Sequence, residues 1–223
     1  MAKTRGTGLL MVWTDIDAQY EADFNQWYDE EHVPRLLKVP GFLSAGRYVA
    51  QKGGPKHLAM YELEDHNVLK SADFIDTVRY KPSPGRSKIS GGHAGRNYIL
   101  NAYRQILPAR TQPIESTMGP SPYLQIGRMD IAQNMEDEYN AWYNTCFIPG
   151  FLKVPGVIRA RRFVAVECVP KYMTVYEFER GDVSEQKAWD TARSSSPWNA
   201  RMRPHLQLDE GSPAVFKRIL PKL

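Results

Sequence analysis

Residues 9–15 are almost wholly apolar and rich in β-branched and aromatic side chains, which predicts a strand. The period then changes. Tyr20, Phe24, Tyr28 and His32 recur every four residues, so a helix would carry them in one stripe and leave Asp23, Asn25, Gln26, Asp29 and Glu30 to water. Asp15 and Asp17 stand where they can cap its start. Pro34 has no N–H and its ring crowds the preceding turn, so the helix is expected to end or kink near His32. Pro40-Gly41 reads as a turn, 42–50 as a second strand, Gly53-Gly54-Pro55 as another turn and 56–63 as a third strand. Alternation places His57, Ala59, Tyr61 and Leu63 on one face of that strand, with Leu58, Met60 and Glu62 on the other. A second helix, capped by Asn67, is expected to run to about Tyr80, followed by a loop rich in Gly, Pro and Ser and a fourth strand over 98–107. The order is β-α-β-β-α-β.

The same pattern then returns. WYDEEHVPRLLKVPGFLSAGRYVA at 27–50 is echoed by WYNTCFIPGFLKVPGVIRARRFVA at 142–165, an offset of 115 (142 − 27). Over positions 24–64 that one offset gives 18 identities in 41, far beyond chance, so the chain is a tandem duplication. Two units follow, 1–107 and 123–223, joined by 108–122, whose four prolines and lack of periodicity read as a linker. Residues shared by the copies are candidates for fold, and residues that differ are candidates for chemistry.

Composition narrows the class. With 42% apolar and 24% charged residues and no apolar run of 18, the chain reads as a soluble globular protein with no membrane span. The N-terminus has no signal-peptide pattern, and Cys146 and Cys168 read as isolated buried thiols, so a reduced, cytoplasmic setting is expected. A net charge of +4, spread along the chain, is no nucleic-acid signature but suits a small anionic substrate. The sequence carries none of the local motifs of zinc proteases, redox dithiols, serine hydrolases, dinucleotide sites or P-loops. Nothing in the histidine spacing fixes a metal.

The β-α-β-β-α-β unit is the ferredoxin-like arrangement. Its Trp27, Glu31, His32, Pro34, Gly41, Phe42, Arg47 and Tyr48 resemble the motif of the EthD-like members of the dimeric α+β barrel superfamily. The resemblance implies an α+β fold in which two four-stranded sheets form one barrel with helices outside, here as a pseudo-dimer within one chain, as monomer or homodimer. It also implies a pocket between a sheet and its own helices, with a His or Tyr as acid or base. The superfamily includes lactone isomerases, polyketide cyclases, cofactor-free monooxygenases and haem enzymes. The second copy departs from the motif, with Cys146 for Glu31 and Phe147 for His32, which predicts a degenerate second site.

His32 is the leading candidate for an acid or base, because its duplicate is a phenyl ring and the position therefore faces a core or pocket. The alternative is a core histidine bonded to a backbone carbonyl near Pro34. Tyr28, His57 and Tyr61 complete the catalytic set, although Tyr28 and Tyr61 recur as Tyr143 and Tyr176 and so also suit packing. Trp27, Phe24, Arg47 and His93 are candidates for holding substrate, His93 from a basic glycine-containing loop able to act as a lid. Arg47 recurs as Arg162 and is alternatively expected to pair with Asp15 and Asp130, or with Glu62 and Glu177.

The function expected is acid/base catalysis without cofactor or metal, by a lyase, isomerase or cyclase acting on a hydrophobic, aromatic or polyketide-like small molecule. One alternative is a cofactor-free monooxygenase on a phenol, and another is a non-catalytic binding protein.

Overall fold

The computed structural model describes residues 3–80, 96–116 and 118–222. The first half runs β1 (Lys3–Arg5), β2 (Gly8–Asp15), α1 (Glu21–Trp27), a π-helical turn (Tyr28–His32), α2 (Val33–Leu36), β3 (Phe42–Lys52), β4 (His57–Leu63), α3 (Ala72–Ile75) and β5 (Arg96–Leu107). The second half runs β6 (Ile114–Ser116), β7 (Tyr123–Asp130), α4 (Glu136–Trp142), a π-helical turn (Tyr143–Phe147), α5 (Ile148–Phe151), β8 (Val157–Ala165), β9 (Tyr172–Phe178), α6 (Lys187–Ser194), α7 (Pro197–Met202), β10 (Gln207–Leu208) and β11 (Ala214–Leu220).

Eight strands close one antiparallel barrel in the order β7-β11-β3-β4-β2-β5-β8-β9, and β9 returns to β7. Each unit lends its last strand to the other: β5 pairs with β8, and β11 pairs with β3. The two sheets therefore form one closed structure within a single chain, as the resemblance implies. Leaving no open sheet edge in the barrel removes the unpaired backbone that edge strands present.

Alternation along each strand separates two kinds of core. Leu9, Met11 and Trp13 of β2, with Leu58 and Met60 of β4 and their counterparts Leu124, Ile126, Met173 and Val175, fill the barrel. Leu10, Val12, Ala59, Tyr61 and Leu63 face outward and pack under the helices of the first unit. The second unit repeats this with Met129, Tyr139, Trp142, Tyr143, Phe151, Tyr176 and Trp189. Burying each such large apolar side chain contributes about 1.5–3 kcal/mol.

Several local expectations are corrected. The first helix does not end at His32. The Val33 N–H donates to the Tyr28 carbonyl, a five-residue spacing, and the chain continues as α2 with Pro34 in its first turn. The wider π turn lets the helix pass a proline that would otherwise crowd the preceding turn. The second copy does the same, the Ile148 N–H donating to Tyr143 just before Pro149. Asp15 and Asp17 make no side-chain cap to the first helix; Asp15 instead accepts the Lys56 N–H and the Asn97 amide. Asp65, not Asn67, caps the short 3-10 segment His66–Lys70, and Ser71 caps α3. Within the 108–122 linker, the three residues of β6 pair with β1, a detail the sequence pattern did not announce. Cys168 is exposed and Cys146 half-buried, so neither is a core thiol.

The expected arginine pairings also differ. Arg47 turns outward under the first helix, forms an ion pair with Asp29 and donates to the Asn25 side chain. Arg162 uses the duplicated Asn140 and Asn144. Glu62 and Glu177 are satisfied inside the barrel by their neighbours: Arg161 reaches both, at 2.6 and 3.2 Å, while Arg5 reaches Glu62 at 3.0 Å and Arg159 grips Glu177 at 2.5 and 2.6 Å.

Candidate active site

A cavity of about 380 Å³ opens between the outward face of the first sheet and the helices that cover it. Leu10, Val12 and Thr14 of β2, Tyr61 of β4 and Tyr98 and Leu100 of β5 form one wall. Phe24, Trp27, Tyr28, His32 and Leu36 form the facing wall, and Phe74 and Val78 close one side. Of the eight residues singled out from sequence, Phe24, Trp27, Tyr28, His32 and Tyr61 come together on this lining. The outward alternation of β2 and the rings of the second helix were legible signals for Leu10, Val12 and Phe74, which the sequence reading did not single out. Tyr98 and Leu100 had no such signal, because their contact depends on how β5 pairs with β2.

The π turn sets the geometry of His32. It puts Trp27 and His32 on one side of the helix, stacked with ring centroids 4.4 Å apart and planes 24° apart. Tyr28 meets the same imidazole edge-on at 5.0 Å. Half-buried and lining the cavity, the imidazole is placed to exchange a proton with a bound molecule.

Tyr61 supplies the second polar group. Its side chain is fully buried, and its hydroxyl has no hydrogen-bond partner among the described residues. Burial raises the phenol well above its ordinary range, so it remains protonated and can donate. An unmet buried hydroxyl on a cavity wall is costly unless a ligand or water meets it. Burial raises Tyr28 in the same way, so neither tyrosine can serve as the base near neutral pH.

Arg47 and His57 lie outside this lining. Arg47 is buried, with its guanidinium 4.7 Å from the Tyr28 ring centroid and 5.3 Å from that of Phe24, and so fixes two lining rings from behind. His57 is buried, edge-on to Phe24 at 5.1 Å, with Nε2 3.2 Å from a Glu21 carboxylate oxygen. Burial lowers its pKa against the opposing pull of Glu21. His93 lies outside the described residues, as does most of the proposed lid loop.

The second unit has a matching cavity of about 310 Å³, lined by Tyr143, Phe147, Phe151, Tyr176 and Trp189 with Gln125, Thr174, Arg193 and Arg203. Phe147 packs against Trp142 at a similar distance, with centroids 4.5 Å apart, but tilted by 44° where His32 and Trp27 stack. A wider groove of about 790 Å³ at a barrel mouth has its Arg128 paired with Asp209 and its Asp15 engaged by Lys56 and Asn97.

Among the described residues, no group of three His, Cys, Asp or Glu side chains could hold a metal ion. A haem would need an axial ligand and cations for its carboxylates. The first described lining has an imidazole but no Lys or Arg and so does not fit a haem, while the second has arginines and tyrosines but no imidazole or thiolate. No helix among the described residues is long and apolar enough to cross a membrane.

The fold is that of the dimeric α+β barrels, in the duplicated form in which one chain supplies both ferredoxin-like halves. Among solved structures, the chain is similar to an anthrone oxidase-like protein (TM-score 0.57, 12% identity, 95% of this chain and 90% of that one). It is similar to a candidate monooxygenase from Fusobacterium nucleatum subsp. nucleatum (TM-score 0.55, 8% identity, 96% and 95%). It is also similar to a chlorite dismutase from Candidatus Nitrospira defluvii (TM-score 0.57, 10% identity, 97% and 92%). At these identities the likeness is one of fold. No family model matches the chain, and no curated protein matches it.

Proposed function

We propose that the first cavity is the active site of a cofactor-independent enzyme, of the EthD-like kind its motif residues resemble, that oxygenates a flat phenolic or polyketide-derived ring. The observation that carries this is the placing of the His32 imidazole and the unmet Tyr61 hydroxyl on one cavity of aromatic and aliphatic side chains. The rings of Phe24, Trp27, Tyr28 and Tyr98 hold a planar substrate by stacking and apolar burial. His32 takes a proton from a ring methylene or hydroxyl and so generates an electron-rich enolate or phenolate. Tyr61, kept protonated by burial, donates to the oxygen on which that negative charge gathers.

The activated carbon then reacts with dioxygen. A ring methylene and O₂ become a ring carbonyl and water: two C–H bonds are lost, one C=O forms, and the second oxygen leaves as water with both hydrogens. The substrate is oxidised by four electrons and dioxygen is reduced by four, so no further reductant is needed. The apolar lining accommodates O₂ beside the anion and excludes bulk water. The fold's likeness to an anthrone oxidase-like protein and to a candidate monooxygenase supports oxygen as the co-substrate.

The test uses anthrone as probe, with an oxygen electrode and absorbance of the quinone product. Uptake of one O₂ per quinone formed, lost in His32→Ala and His32→Gln, is the expected result. Full turnover in either variant overturns the role of His32. Turnover of an activated ring substrate without oxygen instead assigns the same pocket to elimination, cyclisation or isomerisation.

A further inference from the structure

The second cavity has lost the imidazole, yet it has not closed. Its changes relative to the first are directional. At the shared offset of 115, Leu10 becomes Gln125, Ala59 becomes Thr174 and Val78 becomes Arg193. Three apolar positions thus carry polar or cationic groups, and Gln125, Thr174 and Arg193 all line the same cavity. Arg203, from the segment after α7, joins Arg193 on that lining. A pocket that had merely decayed would fill with apolar side chains; this one keeps about 310 Å³ and gains charge.

Depth sorts these groups. Gln125, Thr174 and Tyr176 are buried; Thr174 lies beside the Tyr143 hydroxyl, and the Tyr176 hydroxyl meets no hydrogen-bond partner among the described residues. Phe147, Phe151 and Trp189 form the middle, with Phe151 and Trp189 centroids 4.1 Å apart. Arg203 is exposed and Arg193 half-buried, so the two guanidiniums stand toward solvent. Arg193 has an exposed partner in Asp190 at 3.3 Å, whereas Arg203 has no ion pair among the described residues. Desolvation, and after it the positive charge of Arg193 nearby, push the Arg203 guanidinium down, so an anion at this rim offsets a like-charge repulsion.

We infer that this second cavity is a binding site for an aromatic carboxylate: a flat ring body lying against Phe147, Phe151 and Trp189, a carboxylate held by Arg193 and Arg203, and a hydrogen-bonding group at the deep end. Charge-assisted bonds to the two guanidiniums fix the anionic end, and the unmet Tyr176 hydroxyl meets the other. The site works without the proton-transfer group of the first cavity, so it is a place of binding and not of the first site's chemistry.

The test is calorimetry on the whole protein with 6-hydroxy-2-naphthoate, which has a carboxylate and a hydroxyl at opposite ends, and with its neutral carboxamide. Quenching of tryptophan emission follows the same titration, since Trp189 lines the site. The carboxylate is expected to bind with one site at this cavity and the carboxamide about tenfold more weakly or worse, since a charge-assisted bond is worth about 1.5–3 kcal/mol. Arg203→Gln and the Arg193→Gln/Arg203→Gln pair, at solvent-side positions that leave the core intact, are expected to remove the preference for the charged probe. Both should leave turnover of anthrone in the first cavity unchanged. Equal binding of the two probes, an unaltered carboxylate affinity in the double variant, or no binding of the carboxylate at millimolar concentration overturns the assignment. If His32→Ala abolishes anthrone turnover while carboxylate binding persists, the two cavities are independent.

Discussion

His32 stacks face-on against Trp27, five residues before it in the chain, with ring centroids 4.4 Å apart. A regular α-helix would place residues five apart on different faces; the π turn at Tyr28–His32 brings them together. The duplicate supplies the control, because Phe147 packs on Trp142 at a like distance, 4.5 Å, though tilted, in the second half. His32→Phe should therefore fold, with a melting temperature within a few degrees of the wild type, and lose turnover. A His32→Phe protein that melts far lower would mean the imidazole is held chiefly for packing. Thermal melts followed by circular dichroism, run beside the oxygen electrode, separate the two roles.

Tyr61→Phe makes the opposite kind of cut. The hydroxyl it deletes is buried and unmet among the described residues, so its loss should leave stability unchanged or raise it by up to about 1 kcal/mol. If that hydroxyl donates to a developing oxyanion, kcat should fall by about 10²-fold or more while KM moves little. A stability loss comparable to deleting a satisfied hydrogen bond would place the hydroxyl in a structural contact instead.

The β-α-β-β-α-β units and their duplication could be read from period and repetition, whereas the closed barrel followed from the resemblance to the dimeric α+β barrels. Alternation in 56–63 assigned Tyr61 and Met60 to opposite faces correctly, and the offset of 115 carried β2, α1, β3 and β4 onto β7, α4, β8 and β9. What escaped was set by local hydrogen bonding and by strand pairing. Pro34 announced a break, and the chain answered with a π turn, a choice fixed by backbone bonding that side-chain pattern does not encode. Arg47 looked like a partner for barrel carboxylates. Its strand parity turns it outward to Asp29, and Arg161, one position before Arg162, takes the inward place. Tyr98 joined the cavity through the register of β5 on β2, and no pattern within residues 96–107 announced that partner.

His57 gives a pH signature. Burial lowers its pKa below the ordinary 6.5, so the unfolded chain binds more protons than the folded one as pH drops through that value. Stability from this residue is thus fully present above about pH 6.5 and is lost as pH falls below it toward the lowered folded value. Glu21, whose pKa is lowered first by Lys56, contributes its own loss only further down, below about pH 4.5. His57→Tyr installs the residue that Tyr172 already provides in the second half, where its hydroxyl donates to Glu136. Between pH 7 and pH 5 the wild type should lose more stability in urea than His57→Tyr does. Identical slopes in that window would show that His57 titrates as it does in the unfolded chain.

The charged knot inside the barrel sets how firmly the two halves are joined. Arg161 belongs to the second half and bonds Glu62 of the first through two hydrogen bonds, at 2.6 and 3.1 Å, while also reaching Glu177. Arg5 crosses between the same two carboxylates from β1, at 3.0 and 3.5 Å. All four side chains are buried, so each charge depends on the others for what water would otherwise supply. Arg161→Met leaves Glu62 and Glu177 facing one another with less compensation and should cost about 3–5 kcal/mol. Removing the carboxylate with it, in Arg161→Met/Glu62→Met, should recover part of that loss, because the desolvation of Glu62 disappears together with its partner. Additive losses in denaturant titrations of the two single variants and the double would show that the two residues act separately and that the knot does not tie the duplicated halves together.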